Sequence, residues 1–126
     1  MCENKFYVCK RCGNIVGMVH SGGGTLVCCG EKMSVLEAGV VEASREKHIP
    51  VVTVDGDKVH AFVGSVEHPM TEEHSITWLY LETENGGQRK CINPGEKPEA
   101  TFILNGEKPL AVYAYCNLHG LWKTEI

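Results

Sequence analysis

No apolar run in these 126 residues approaches the length needed to cross a bilayer, and Met1-Cys2-Glu3-Asn4-Lys5 lacks the apolar stretch of a secretory leader. Positive charge is not in excess either. Twelve Lys and Arg face sixteen Asp and Glu, for a formal net charge of −4, which argues against a partner held by phosphate neutralisation. There is no internal repeat, no low-complexity tract and no segment with convincing helical periodicity. Alanine and leucine are scarce, at six and eight against fourteen valines, a balance that suits pleated strands. These absences leave a globular, cytoplasmic, mainly β chain with neither nucleic acid nor membrane among its partners.

What the chain does have is seven cysteines and six histidines. In a reducing compartment clustered thiols serve as metal ligands or redox groups rather than as a disulfide framework, and an odd count leaves one unpaired in any scheme. Five of the cysteines (Cys2, Cys9, Cys12, Cys28 and Cys29) lie in the first 29 residues, whereas every histidine except His20 comes later. The composition shift near Glu37-Ala38-Gly39 divides the chain into a cysteine module, residues 1–37, and a histidine-rich body, residues 38–126. The module carries four basic and three acidic residues; the body carries eight and thirteen.

A module of this length cannot bury an adequate core and needs a staple. Cys9-x2-Cys12 and the adjacent pair Cys28-Cys29 supply four thiolates, a soft tetrahedral set that suits zinc or iron. Gly13 and Gly30 follow the two pairs and allow the backbone to turn amides towards sulfur. Two ligands without a spacer must splay to reach one ion. Cys2 and Cys91 have no partner at ligand spacing and are read as ordinary free thiols.

In the body, Val51–Val54, the break Asp55-Gly56-Asp57 and Lys58–Val63 form a hairpin pattern. Ser75–Glu82, Glu99–Leu104 and Leu110–Tyr115 are further strands, the last two parted by Asn105-Gly106-Glu107-Lys108-Pro109. Short strands at this spacing predict an antiparallel sandwich of about seven strands. Three motifs in the body carry potential ligands: Glu46-Lys47-His48-Ile49-Pro50, Glu67-His68-Pro69-Met70 followed by His74, and Cys116-Asn117-Leu118-His119-Gly120. Each alone is weak; together they offer four imidazoles and one thiolate near strand ends. His20 and His60 lack such company and are expected at the surface.

Taken together, these motifs resemble desulfoferrodoxin, the two-iron class of superoxide reductase, over essentially the whole chain. The resemblance implies an all-β protein: a desulforedoxin-like domain over 1–37, with one iron on Cys9, Cys12, Cys28 and Cys29, then an immunoglobulin-like sandwich over 38–126. It implies a second iron with His48, His68, His74 and His119 as equatorial ligands, Cys116 as the axial one, and the opposite position open to substrate. Superoxide would take one electron there and leave, with two protons, as hydrogen peroxide. The thiolate opposite would donate electron density, as an axial Cys does in haem enzymes. Lys47 would attract the anion and help deliver protons, since the body as a whole is acidic. Glu46 is implied as a sixth ligand in the oxidised state, although its residue type equally suits an ion pair with Lys47 or Arg45. A regular strand would turn Lys47 to the opposite face from Glu46 and His48, and a loop would lift that restriction. Rubredoxin or another reductase as electron donor, and a homodimer, complete the implied partners. The first iron is then either an electron relay or a staple for the fold and dimer.

Two other classes fit part of the pattern. A cupredoxin-like electron carrier shares a β-sandwich with Cys-x2-His, but Gly120-Leu121-Trp122-Lys123 supplies no axial Met after His119, and Met70 lies far upstream. A non-catalytic zinc module accounts for the four cysteines and not for the histidines.

Overall fold

Strands in this chain stop where glycine, proline or short polar residues interrupt the β-branched runs. A computed structural model, which describes residues 4–126, contains twelve strands and one helical turn among those residues. They belong to two compact units, Met1–Glu37 and Ala38–Ile126. Cys2 lies outside the described residues. No helix among the described residues is long and apolar enough to cross a membrane.

In the first unit, β1 (Lys5–Val8) pairs antiparallel with β2 (Ile15–Met18) on one side and β5 (Ser34–Val35) on the other. A second, two-stranded ribbon joins β3 (Val27–Cys28) to β4 (Glu31–Lys32), with Cys28 opposite Glu31. Its two-residue turn is Cys29-Gly30, at φ +53° and +75°, the left-handed pair that matches strand twist in a tight hairpin. Among the described residues of this unit, only Phe6, Cys9 and Met33 are buried apolar side chains. Three such residues make no self-sufficient core, so the unit depends on its staple.

The second unit is a sandwich of seven strands. One sheet has the order β10 (Glu99–Ile103), β7 (Lys58–Val63), β6 (Pro50–Asp55). The other has the order β12 (Gly120–Glu125), β11 (Pro109–Cys116), β8 (Ile76–Thr83), β9 (Gly86–Cys91). All of these pairings are antiparallel. The hairpin signal around Gly56 is realised: Asp55 pairs with Lys58 across Gly56-Asp57. Val59, Ala61, Phe102, Leu79, Leu81, Val112 and Ala114 fill the space between the sheets. Pleat alternation sends their neighbours outwards, where Trp78 stacks on Tyr115 with ring centroids 5.5 Å apart.

Two strands carry little β signal. In β9, Gly-Gly-Gln-Arg-Lys-Cys forms an edge against β8 because Gly87 leaves room for a ring; a Cβ there would sit 2.2 Å from the Tyr80 hydroxyl. In β12 the glycine at its start, φ +77°, disguises a strand that Trp122 anchors.

The departure that matters most is helical. Arg45–His48 forms one turn, α1, where the sequence suggested a strand or loop. Four residues are too few to register a period, and so short a helix needs tertiary support. That support is visible: Ile49 N–H donates to the Arg45 carbonyl at 2.8 Å and Val66 N–H to the Glu46 carbonyl at 2.9 Å. Gly64 lies beneath, where any Cβ would come within 2.5 Å of the Glu46 carbonyl oxygen. The turn buries His48 and leaves Glu46 and Lys47 exposed, which replaces the two-faced arrangement expected of a strand.

Candidate metal centres

In the first unit the four sulfurs lie within 4.8 Å of one another. Cys9 follows β1, Cys12 sits in the turn after it, and Cys28 and Cys29 end β3 and open its hairpin turn. The left-handed backbone at Cys29 lets adjacent side chains address the same point, with Sγ atoms 4.0 Å apart; Cys12 and Cys28 are 3.7 Å apart. A metal–sulfur bond of about 2.3 Å sets a tetrahedron edge of about 3.8 Å, so the sulfurs already have the spacing of ligands.

The amide aimed at sulfur is that of Cys12, which donates to Cys9 Sγ at 3.5 Å; Gly13 N–H goes to the Cys9 carbonyl instead. Chiefly through the Cys12 amide, the Cys9 thiol is lowered to about 7. Hydrogen bonding among the crowded thiols, Cys12 foremost, pushes Cys29 up to about 12. Four thiols this close lose all their protons together only when a cation shares the space.

The second cluster forms at one edge of the sandwich. His48 ends α1, His68 and His74 sit in the connection between β7 and β8, Cys116 ends β11, and His119 lies in the turn to β12. Their five ligand atoms fall within 4.8 Å of one another. The rings form a square. Centroid separations around it are 4.6 Å (His48–His68), 4.5 Å (His68–His74), 5.0 Å (His74–His119) and 4.9 Å (His119–His48), each pair nearly perpendicular. Across it, His48 and His74 are 6.3 Å apart. Cys116 Sγ stands 3.9 Å from His119 Nδ1.

Hydrogen bonds decide which ring nitrogens face inwards. His48 Nδ1–H donates to the Ser44 carbonyl at 2.5 Å and His68 Nδ1–H to the Pro69 carbonyl at 2.7 Å. A carbonyl only accepts, so the proton of each neutral ring is at Nδ1 and its Nε2 carries a lone pair. Those two Nε2 atoms are 3.1 Å apart, and His48 Nε2 is 3.0 Å from His119 Nδ1. His74 Nε2 is buried with no hydrogen-bond partner. Converging lone pairs and an orphaned buried nitrogen fit a cation at the centre of the square. Each Nδ1 bond to a carbonyl is the outer partner that a metal-bound imidazole ordinarily has.

Burial favours the neutral form of three of these rings, as ligation requires: His48 and His74 are lowered, and His68 is lowered from 6.5 to about 4. Burial raises Cys116, while the amides of Leu118 and His119 directed at its sulfur work the other way. A consequence is testable without metal. Between pH 6.5 and about 4 the unfolded chain takes up a proton that folded His68 refuses. Stability of the metal-free protein is therefore complete above that window and falls as the pH drops through it. Urea midpoints of metal-free protein across this range check the sign; a flat profile would contradict it.

Lys47 is exposed on α1, directly before His48, and its positive charge is the smallest of the causes that lower His74 and His48. The Glu46 carboxylate is outside the five-donor cluster, and its backbone carbonyl instead accepts from Ser65 Oγ at 3.2 Å. Met70 does not join the cluster; its sulfur accepts the Ile76 amide at 3.3 Å. His20 is exposed, His60 pairs with Glu99 at 3.1 Å, and Cys91 is an exposed free thiol.

Trp122 was visible in the sequence only as a residue that is not methionine. Its ring stacks on His48, with centroids 5.0 Å apart and planes 28° apart, and its Nε1–H donates to the His119 carbonyl at 3.1 Å. One side chain thereby braces two corners of the square. The only available signal was its place three residues after His119.

Comparison with known proteins follows the same division of the chain. The family model described as Desulfoferrodoxin matches residues 40–125, and that described as Desulfoferrodoxin, N-terminal domain matches residues 2–36. The chain is 48% identical over 120 residues to the desulfoferrodoxin of Syntrophotalea carbinolica, covering 94% of each protein. It is 45% identical over 123 residues to that of Nitratidesulfovibrio vulgaris, covering 98% of this chain and 97% of the relative. Its structure resembles the superoxide reductase of Treponema pallidum at a TM-score of 0.81 and 41% identity, over 97% of this chain and 98% of that one.

Proposed function

Because this chain belongs to the desulfoferrodoxin family, we propose that its four-histidine, one-cysteine cluster is where superoxide is reduced to hydrogen peroxide. The observation that carries the reading is the square itself: four imidazole rings, each nearly perpendicular to its neighbours, with ring nitrogens converging and a single cysteine sulfur beside them. The family's cofactor is iron at two sites, and both donor sets fit it. In this reading residues 1–37 are a desulforedoxin-like domain holding one iron on Cys9, Cys12, Cys28 and Cys29. Residues 38–126 hold the other on His48, His68, His74, His119 and Cys116.

Ferrous iron, when bound there, supplies the single electron. The remaining work falls to side chains. Lys47 Nζ draws the anion to an otherwise acidic body and holds a proton near the developing peroxide. Cys116, buried and turned towards the Leu118 and His119 amides, holds its sulfur against the square away from water, where a bound cation would draw off the thiol proton that burial otherwise retains. The Glu46 carboxylate, next to Lys47 on α1, would be a further ligand to the oxidised metal and so favour product departure. Electrons arrive from rubredoxin or another reductase, and the four-cysteine iron would serve either as their relay or as a staple for the fold and dimer. The described cysteines are all free thiols, which supports a reducing, cytoplasmic setting; a homodimer follows the family.

The test is stoichiometric. Pre-reduced, iron-loaded protein should yield one peroxide per superoxide consumed. A ratio of one to two would mean dismutation, and no acceleration would leave an electron carrier. Lys47→Ala should slow the second-order reaction with superoxide by about tenfold at low ionic strength, the lower end for electrostatic steering, and by less as salt is added. Pulse radiolysis at two salt concentrations checks this; equal rates for the two proteins at low salt would remove Lys47 from the mechanism.

A further inference from the structure

Three of the four square histidines are held by bonds to their own ring or by Trp122, but His74 is not. His48 and His68 are tethered through Nδ1, and His119 through the Trp122 bond to its carbonyl. No hydrogen bond holds the His74 ring among the described residues. Its direction therefore depends on the backbone that carries it. Thr71 closes the local turn, with His74 N–H donating to Thr71 Oγ1 at 3.1 Å and Thr71 N–H to the His74 carbonyl at 2.9 Å. Those bonds lie within one connection and cannot place it against β11.

The tie to β11 is Asn117. Its Oδ1 accepts Ser75 N–H at 3.0 Å, and its Nδ2 donates to the Glu73 carbonyl at 2.9 Å. Its own N–H donates to the Ser75 carbonyl at 3.2 Å. The side-chain amide thus grips the residues on both sides of His74 from a position next to Cys116. A flipped amide would set oxygen against carbonyl and nitrogen against N–H, so the network fixes its orientation. We propose that Asn117 is a positioning residue that sets His74 in register with Cys116 and His119, fixing the fourth corner of the metal site. This rests on His74 being a ligand, as argued above.

The effect of losing an outer partner of a metal-bound histidine is roughly 10- to 100-fold in metal affinity. Full-length protein loaded with cadmium-113 alone gives a readout independent of turnover. Scalar coupling from cadmium to ring nitrogens reports each histidine separately, and the four-cysteine site serves as an internal control. In Asn117→Ala, coupling to His74 should vanish while couplings to His48, His68 and His119 persist, and chelator should strip cadmium from this site roughly 10- to 100-fold faster. The release rate from the four-cysteine site should not change. Should Asn117→Ala fold poorly, Asn117→Asp keeps the Ser75 acceptor, loses the Glu73 donor, and carries the same expectation for His74.

Four intact couplings with an unchanged release rate would overturn the proposal. So would equal weakening of all four, which would mark a general structural role. A native protein without coupling to His74 would overturn the ligand assignment and this inference together.

Discussion

Cys116→Ser should fold and yet lose superoxide reduction, by more than about 100-fold, the upper figure for removing merely an outer partner of a metal ligand. Cys116 has no exposed surface and belongs to the apolar core between the sheets, so its replacement must be tolerated on both counts. Serine is smaller by little and its hydroxyl still receives the Leu118 and His119 amides. The folding penalty is therefore that of a buried hydroxyl, about 1–3 kcal/mol. The chemical penalty is larger. A serine hydroxyl stays protonated where a thiol can ionise, and an alkoxide is a harder donor than sulfur, so the electron density that a thiolate would supply to a bound metal is lost. The measurement is peroxide formed by pre-reduced variant, read beside its iron content. Loss of activity with iron retained identifies the thiolate's electronic role. Activity near that of the native protein would remove Cys116 from the chemistry.

Trp122→Ala should be the most damaging change outside the ligand set. Trp122 is 2% exposed, and deleting such a ring from a packed site costs about 3–5 kcal/mol, a large share of a small domain's stability. It also removes the surface on which His48 stacks and the donor that holds the His119 carbonyl. Trp122→Phe separates the two. It keeps a ring against His48 and gives up the hydrogen bond, for about 1 kcal/mol. Urea denaturation and metal affinity, measured on both variants, should rank them well apart, with Phe near the native protein in stability and between the others in affinity. Equal affinities for Ala and native protein would show that the stack does not brace the site.

Much of the fold was legible because its signals are local. The break Asp55-Gly56-Asp57 announces the β6–β7 hairpin, and Asn105 to Pro109 the gap between β10 and β11, since turn geometry is a property of the few residues that make it. The count of about seven strands in the body followed from such breaks. Where a strand is sustained by its neighbour, the signal fails. β9 is poor in β-formers, and β8 supplies the partner that makes it a strand. Likewise α1 exists because Val66 and Gly64 meet its carbonyls, contacts that no window of four residues can contain.

The site divides along the same line. Residue types alone determined that this chain would offer two donor sets, one of four thiols and one of imidazoles with a single thiol, because softness, charge and proton affinity belong to the side chain wherever it stands. Only tertiary structure decided that His48, His68, His74 and His119 make a square. It also decided that His119 presents Nδ1 where His48 and His68 present Nε2, that Trp122 braces one side, and that Asn117 clasps another. Those outcomes depend on contacts between segments far apart in the chain: His48 meets His119 across 71 residues, and the Thr124 hydroxyl donates to the Pro50 carbonyl across 74, closing β12 on β6. Proximity between distant segments is set by the packing of the sheets, and no residue carries that information by itself.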